Sequence, residues 1–117
     1  MFIPDYKARQ SLAKKLGLDF DEKMQDWEFE VSDCNRIVEF IREYDEPEWT
    51  DKAKESLMEI ILDSANDLLN MGRKVEFEKY FTEIEKRLSL NAVLHRETLN
   101  YWTENDFEIS NKLKMNK

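Results

Sequence analysis

Residues 50–72 have the sequence TDKAKESLMEIILDSANDLLNMG, which holds the longest helical pattern of the chain. Thr50 is a favourable N-cap and Gly72 a favourable C-terminal stop, so we predict a helix that ends at about Met71. Its apolar residues are Leu57, Met58, Ile60, Ile61, Leu62, Ala65, Leu68 and Leu69. Because they cover much of the helix circumference, the pattern predicts a helix at the centre of a bundle.

Other segments with helical spacing lie on both sides of this helix. They cover residues 4–16, 33–44, 75–88 and 91–102. The chain has only two Gly and two Pro, which favours helices joined by short polar connections. We therefore predict an all-α fold, a single irregular bundle of about five to six helices with mostly antiparallel neighbours. One domain should cover residues 1–117.

The apolar positions of these segments predict the core. In the segment 91–102 the apolar positions are Val93, Leu94, Leu99 and Trp102. The residues that we expect to be most deeply buried are Leu57, Ile61, Leu68, Phe81 and Ile84. Phe107, Ile109 and Leu113 are expected to dock the last residues of the chain against the bundle.

Residues 19–31 carry two competing patterns. Phe20, Met24 and Trp27 have helical spacing, whereas Trp27, Phe29 and Val31 alternate as in a strand. We expect a short helix that continues into an extended connector. In the connector the aromatic rings should point inward, while Asp26, Glu28, Glu30 and Ser32 face solvent.

The negative charge is concentrated in one third of the chain. The net charge is −8, and residues 19–51 contain thirteen acids but only three bases, a net charge of −10. The remaining residues carry a net +2. A negative protein is unsuited to binding nucleic acid, which needs a basic face. A segregated acidic segment instead favours a basic protein partner, although it can also serve only solubility.

The cellular location is predicted from three features. No apolar stretch approaches the length that a bilayer requires. The first six residues lack the basic start and apolar core of a signal peptide. Cys34 is the only cysteine, so an internal disulfide is impossible and a reducing compartment is expected. These features predict a cytoplasmic protein that does not enter a membrane.

The residue types needed for catalysis are scarce. The chain has one His and one Cys, too few for a zinc site or a nucleophile–base pair. No phosphate-binding loop, nucleophile elbow or calcium loop is present. Cys34 and His95 are interpreted as packing residues, His95 at a boundary and hydrogen-bonded to a nearby helix. We expect no enzymatic activity, no metal and no cofactor.

Acids and aromatic residues together predict a binding surface. Trp and Tyr are favoured at protein interfaces, and Trp49 is the preferred anchor because Trp27 is expected to be buried. An alternative places Trp49 as a staple that packs before the Thr50 cap. The residues predicted to contact the partner are Asp26, Glu28, Glu30, Glu43, Asp45, Glu46, Glu48 and Trp49. The oligomeric state is left open by the sequence.

Three segments carry a resemblance to known proteins: MQDWEFEVSDCNRIVEFI (24–41), LMEIILDSANDLL (57–69) and LNAVLHRETLNYW (90–102). With them the chain resembles small acidic all-helical bacterial proteins. In size, charge and helicity it is similar to immunity proteins of bacterial toxin systems, including contact-dependent growth inhibition. This resemblance implies a cytoplasmic protein that binds and blocks a cognate toxin domain, often a basic nuclease. The alternative is an intracellular helical adaptor or regulator with no toxin.

Overall fold

The structure, a computed structural model, describes residues 2–116, and within them it contains seven α-helices and no strand. The helices are α1 (Tyr6–Leu16), α2 (Trp27–Glu30), α3 (Ile37–Tyr44), α4 (Asp51–Asn70), α5 (Lys74–Leu90), α6 (Arg96–Glu104) and α7 (Ser110–Leu113). Two 3₁₀ helices, Cys34–Arg36 and Lys114–Asn116, precede α3 and follow α7. The predicted all-α fold is confirmed.

Helix α4 occupies the centre of the bundle, as its sequence predicts. The Thr50 hydroxyl accepts a hydrogen bond from the Ala53 amide at 3.2 Å, which satisfies one of the free N–H groups of the first turn. Gly72 follows the helix with a φ of 74°, a conformation that favours glycine. Helices α1, α2, α3 and α5 all pack against α4.

The neighbours of α4 in sequence pack antiparallel to it. At one end of the bundle, Arg73 at the start of α5 donates to Asn35 just before α3, with 3.1 Å between Nη1 and Oδ1. At the other end, Asn91 after α5 donates to the Tyr44 hydroxyl at the end of α3 at 3.0 Å. Helices α3 and α5 therefore run in one direction, and α4 runs in the opposite one.

The core has the predicted composition. Leu57, Ile61, Leu68, Phe81 and Ile84 are all buried. Trp27 is also fully buried, and its indole N–H donates to the Asp19 carbonyl at 2.7 Å. Ile109 and Leu113 are buried and attach the C-terminal segment to the bundle, while Phe107 is half-buried against it.

Helix α3 begins at Ile37, after the 3₁₀ turn Cys34–Arg36, and two other helix starts also differ from the prediction. Helix α1 begins at Tyr6, because the Asp5 carboxylate accepts the Ala8 amide at 2.8 Å and acts as the N-cap. The prediction that a helix begins near Asn91 is wrong, since residues 91–95 form turns and α6 begins at Arg96. Val93, expected on an apolar helix face, is 80% exposed.

Residues 26–31 also differ from the predicted extended connector. Residues Trp27–Glu30 form a helical turn, in which the Val31 amide donates to the Trp27 carbonyl at 3.0 Å. Helical geometry places consecutive side chains about 100° apart rather than on alternating faces. As a result Glu28, predicted to face solvent, points into the protein, and Phe29 and Val31 are only half-buried.

Candidate functional site

Most of the acids of residues 19–51 lie in two groups on either side of α1. On one side, the Tyr6 hydroxyl donates to Glu22 at 2.6 Å. On the other side, Lys15 Nζ lies 3.4 Å from a Glu43 oxygen and 3.0 Å from a Glu48 oxygen. Tyr6 and Lys15 are nine positions apart, which is half a turn beyond two full helical turns. The structure therefore does not bring the predicted contact residues into one continuous surface.

The first group surrounds α2. We define the first acidic surface as Asp19, Asp21, Glu22, Asp26 and Glu30, all of which are exposed. An open depression of about 340 Å³ is lined by Asp21, Asp26 and Glu30 together with residues 23–25. Glu30 also lines a neighbouring depression of about 490 Å³ that extends to Asp33 and Arg36. The predicted contacts Asp26 and Glu30 thus share an accessible concave region.

An aromatic side chain that the sequence did not single out lies next to this surface. Tyr101 of α6 is 41% exposed, and its ring stacks on Phe29 with 6.3 Å between centroids. Burial raises the pKa of Tyr101, and the negative charges of Glu59 and Asp26 raise it further. Tyr101 is distant from Phe29 in sequence and belongs to a different helix. No local sequence pattern therefore marks the contact.

Glu28 belongs to the interior and not to the binding surface. It is 3% exposed, and Arg9 binds it through Nε to Oε2 at 2.9 Å and Nη2 to Oε1 at 2.6 Å. Arg9, itself 8% exposed, also donates to the carbonyls of Met24 and Gln25 at 3.0 Å each. A bidentate pair whose arginine donates two further hydrogen bonds is an arrangement in which burial of two charges is tolerated. The prediction that Glu28 contacts a partner is therefore corrected.

The second group is the acidic loop, defined here as Asp45, Glu46 and Glu48 between α3 and α4. Asp45 accepts from Arg87 Nε at 2.9 Å, and Glu48 pairs with Lys15. Glu46 is exposed and has no ion pair with any other residue in 2–116. The acids of this group thus differ in how much of their charge is available to a partner.

Trp49 and Glu43 lie next to the acidic loop and are hydrogen-bonded to each other. The Trp49 indole N–H donates to Glu43 Oε2 at 2.9 Å, and its ring is half-buried against the core. The Glu43 side chain is only 11% exposed, because Lys15 and Trp49 cover it. Trp49 also lines an open cavity of about 380 Å³ with residues of α1 and the start of α4. Part of its ring therefore remains accessible beside the acidic loop.

A carboxyl group with a raised pKa lies in the core. Glu59 of α4 is 2% exposed, and burial raises its pKa to about 7, although the Trp102 indole N–H donates to Oε2 at 3.0 Å and opposes the shift. Its second oxygen, Oε1, has no hydrogen-bond partner of good geometry among residues 2–116, although the Thr98 side chain also lowers the pKa. Charges on Glu28 and Asp63 raise the pKa further. Glu59 is enclosed, so it has no substrate-accessible face on which to act as an acid.

His95 is fully buried, deeper than the boundary position predicted for it. Its Nε2 lies 2.6 Å from the Tyr44 hydroxyl, which also accepts the Asn91 side-chain amide. Tyr44 and His95 Nε2 therefore share one hydrogen bond, and His95 Nδ1 has no hydrogen-bond partner in the described part of the chain. Burial lowers the pKa of His95 to about 4, and the positive charge of Lys54 adds to this effect.

Residues 2–116 contain no group of three or more His, Cys, Asp or Glu side chains arranged to hold a metal ion. Cys34 is half-buried, with Met71 Sδ at 3.7 Å and Arg73 Nη1 at 3.4 Å from its sulfur. Among the same residues, none of the helices combines the length and the apolar content that crossing a bilayer requires.

Searches of protein-family models, curated proteins and solved structures found no match to the chain.

Proposed function

We propose that this chain is a non-catalytic cytoplasmic protein that binds a basic protein domain through its acidic residues. Its most concrete form is an immunity protein that blocks a cognate nuclease-type toxin by placing carboxylates where the phosphates of the substrate would lie. The proposal that the partner is a toxin rests on the resemblance of the sequence to immunity proteins of bacterial toxin systems. The binding of a basic partner rests on the structure's charge distribution.

One observation supports this proposal above the others. Seven acids of residues 19–51 are exposed and form no ion pair with another described residue. They are Asp19, Asp21, Glu22, Asp26, Glu30, Glu46 and Asp51. Unneutralised like charge destabilises a folded protein by self-repulsion. Complementary charge on a partner removes that repulsion and raises the association rate.

The partner itself is found by co-expression. The tagged chain is expressed with the untagged product of the neighbouring gene, and the captured protein is identified by mass spectrometry. If this chain is an immunity protein, the captured protein should stop growth when it is expressed alone. Co-expression of this chain should then restore growth. A captured protein without toxicity would support the alternative of a helical adaptor.

The role of the charge is tested on the purified complex by surface plasmon resonance. Asp26→Lys with Glu46→Lys should slow association by about tenfold or more, the range of electrostatic steering. Asp106→Lys with Glu108→Lys changes the net charge equally at exposed positions outside the acidic segment and serves as the control. The difference in association rate between wild type and the Asp26→Lys, Glu46→Lys variant should decrease as the salt concentration rises. The Debye length falls from about 30 Å at 0.01 M to about 10 Å at 0.1 M. An association rate that neither salt nor the first pair of reversals alters would reject the proposal.

A further inference from the structure

Two large aliphatic side chains are exposed in the connection between α5 and α6. Leu90 is 81% exposed and Val93 is 80% exposed, and Ala92 between them is exposed as well. We call residues 89–94 the apolar turn. Grouped apolar side chains that contribute nothing to the core mark sites of interaction more often than single ones do. We propose that the apolar turn is the centre of a docking surface for a basic amphipathic helix of a partner protein.

The apolar turn borders a concave region of suitable shape. An open cavity of about 560 Å³ is lined by residues 89–94 and by Asp51 at the first position of α4. Leu94 is half-buried within it, while Leu90 and Val93 extend into solvent. The cavity therefore has an apolar wall with a carboxylate at its edge.

The acidic loop is fixed beside the apolar turn by two contacts. Arg87, in the last turn of α5, donates to Asp45, and Asn91 within the apolar turn donates to Tyr44. The Arg87 side chain is only 15% exposed and is paired with both Asp45 and Glu83, so its charge is neutralised within the protein. Glu46 follows Asp45 and remains exposed and unpaired among the described residues.

The surface as a whole therefore has an apolar centre and a mainly acidic margin. Arg96, exposed at the start of α6, and Lys54, half-buried with its ammonium over the Tyr44 ring, add positive charge at this margin, where Asp45, Glu46 and Asp51 are all exposed. Interfaces commonly combine an apolar centre with a polar rim. An amphipathic helix supplies apolar anchors at i, i+3, i+4 and i+7, and Lys or Arg on its flanks would meet the carboxylates.

The same charges disfavour two other occupants. A second copy of this chain, related by a twofold axis, would bring its own acidic loop against this one, and like charges at an interface are repulsive. An anionic lipid surface would be repelled by Asp45, Glu46 and Asp51 for the same reason. A basic partner helix is the occupant that both the apolar turn and its acidic margin favour.

This inference rests on the proposed function only in its expectation of a basic partner, and it is tested without a toxin. The probe is a synthetic peptide of Leu and Lys, about 18 residues or five helical turns long, with Leu at i, i+3, i+4 and i+7. A matched peptide has Glu in place of every Lys. Binding is measured by fluorescence anisotropy, and the site is located by amide shifts of the ¹⁵N-labelled protein.

The Leu/Lys peptide should bind and should shift the amides of residues 89–94, Glu46 and Asp51. Leu90→Ser with Val93→Ser should weaken binding by about tenfold or more, since two aliphatic anchors are lost. Val75→Ser is the control, because Val75 is 87% exposed near the other end of α5.

Several results would overturn the inference. They are equal affinity for the Leu/Glu peptide, amide shifts confined to other surfaces, and unchanged affinity of the Leu90→Ser, Val93→Ser variant. Self-association that this variant abolishes would identify a second copy as the occupant and would also reject the inference. Peptide binding at the apolar turn together with failed toxin rescue would reject the proposed function alone.

Discussion

At the scale of single residues, two buried groups have opposite effects on stability as the pH changes. Glu59 is a carboxyl with a raised pKa, so the folded state holds its proton to about pH 7. His95 is an imidazole with a lowered pKa, so the folded state excludes a proton until about pH 4. Between about pH 4.5 and pH 6.5 their contributions oppose each other. Their joint contribution to the free energy of unfolding should therefore change little in this range.

Replacing Glu59 with Gln tests the first of these groups. The unfolded carboxyl ionises near its ordinary pKa of 4.5, whereas folding requires it to stay protonated until about pH 7. The contribution of Glu59 to the free energy of unfolding is therefore favourable at low pH and is lost as the pH rises from about 4.5 to 7. Glu59→Gln should increase the free energy of unfolding at pH 8 by about 1 to 3 kcal/mol relative to wild type. The gain should vanish below pH 4.5, as measured by urea denaturation across this range.

Replacing His95 with Gln should show the reverse sign. The unfolded imidazole takes up a proton below about pH 6.5, but the folded one does so only near pH 4. Wild-type stability is therefore reduced by this group as pH falls through that interval. Because His95→Gln also removes packing contacts, the test compares how the free energy of unfolding changes with pH. Between pH 7 and pH 4 the variant should lose less of this free energy than wild type. Parallel stability curves for the two proteins would show that His95 titrates normally.

At the scale of elements, the Arg9–Glu28 pair attaches α2 to α1. Arg9→Met leaves a buried, unpaired carboxylate and also removes the donors to Met24 and Gln25. This change should lower the free energy of unfolding by about 3 to 5 kcal/mol. Adding Glu28→Met should recover a large part of the loss, because the unpaired charge is then gone. A double variant as unstable as Arg9→Met, measured by denaturant titration, would show that the pair acts through packing alone.

The central helix provides a second prediction at this scale. Leu57 is fully buried on α4, so Leu57→Ala should lower the free energy of unfolding by about 2 to 5 kcal/mol. Val75→Ala, at a position that is 87% exposed, is the matched control and should leave the denaturation midpoint nearly unchanged. Equal midpoints for both variants would contradict the central position of α4.

The sequence predicts the elements whose signals are long and regular, and it fails where the signals are short. Helix α4 has a cap, a stop and an apolar pattern over its whole length, so its position and burial follow directly. Residues 26–31 carry both helical and alternating spacing over six residues, and Arg9, distant in sequence, decides the orientation of Glu28. The apolar turn is missed because Val93 and Leu94 fit a helical stripe, while the chain turns before α6 begins.

At the scale of the whole molecule, the acidic segment is divided by a helix of opposite charge. Helix α1 pairs Arg9 with the interior residue Glu28 on one side, and Lys15 with Glu43 and Glu48 on the other. A count of charges along the sequence predicts the excess of acid correctly. It cannot predict that division, because the division depends on how α1 packs. Of the eight predicted contact residues, Glu28 is internal and Glu43 is largely covered, whereas Asp26, Glu30 and Glu46 remain exposed.

The central position of α4 also has a consequence for the order in which the chain folds. The most extensive helix contacts join α4 to α3 and α5, its neighbours in sequence, and closing such short connections loses little chain entropy. The contacts of α1 and α6 with α4 close longer loops, as with Trp102 to Glu59, which are 43 residues apart. Pulse-labelled hydrogen exchange during refolding should therefore protect the amides of α4 and α5 before those of α1 and α6. Simultaneous protection of all four helices would show instead that the chain folds in one concerted step.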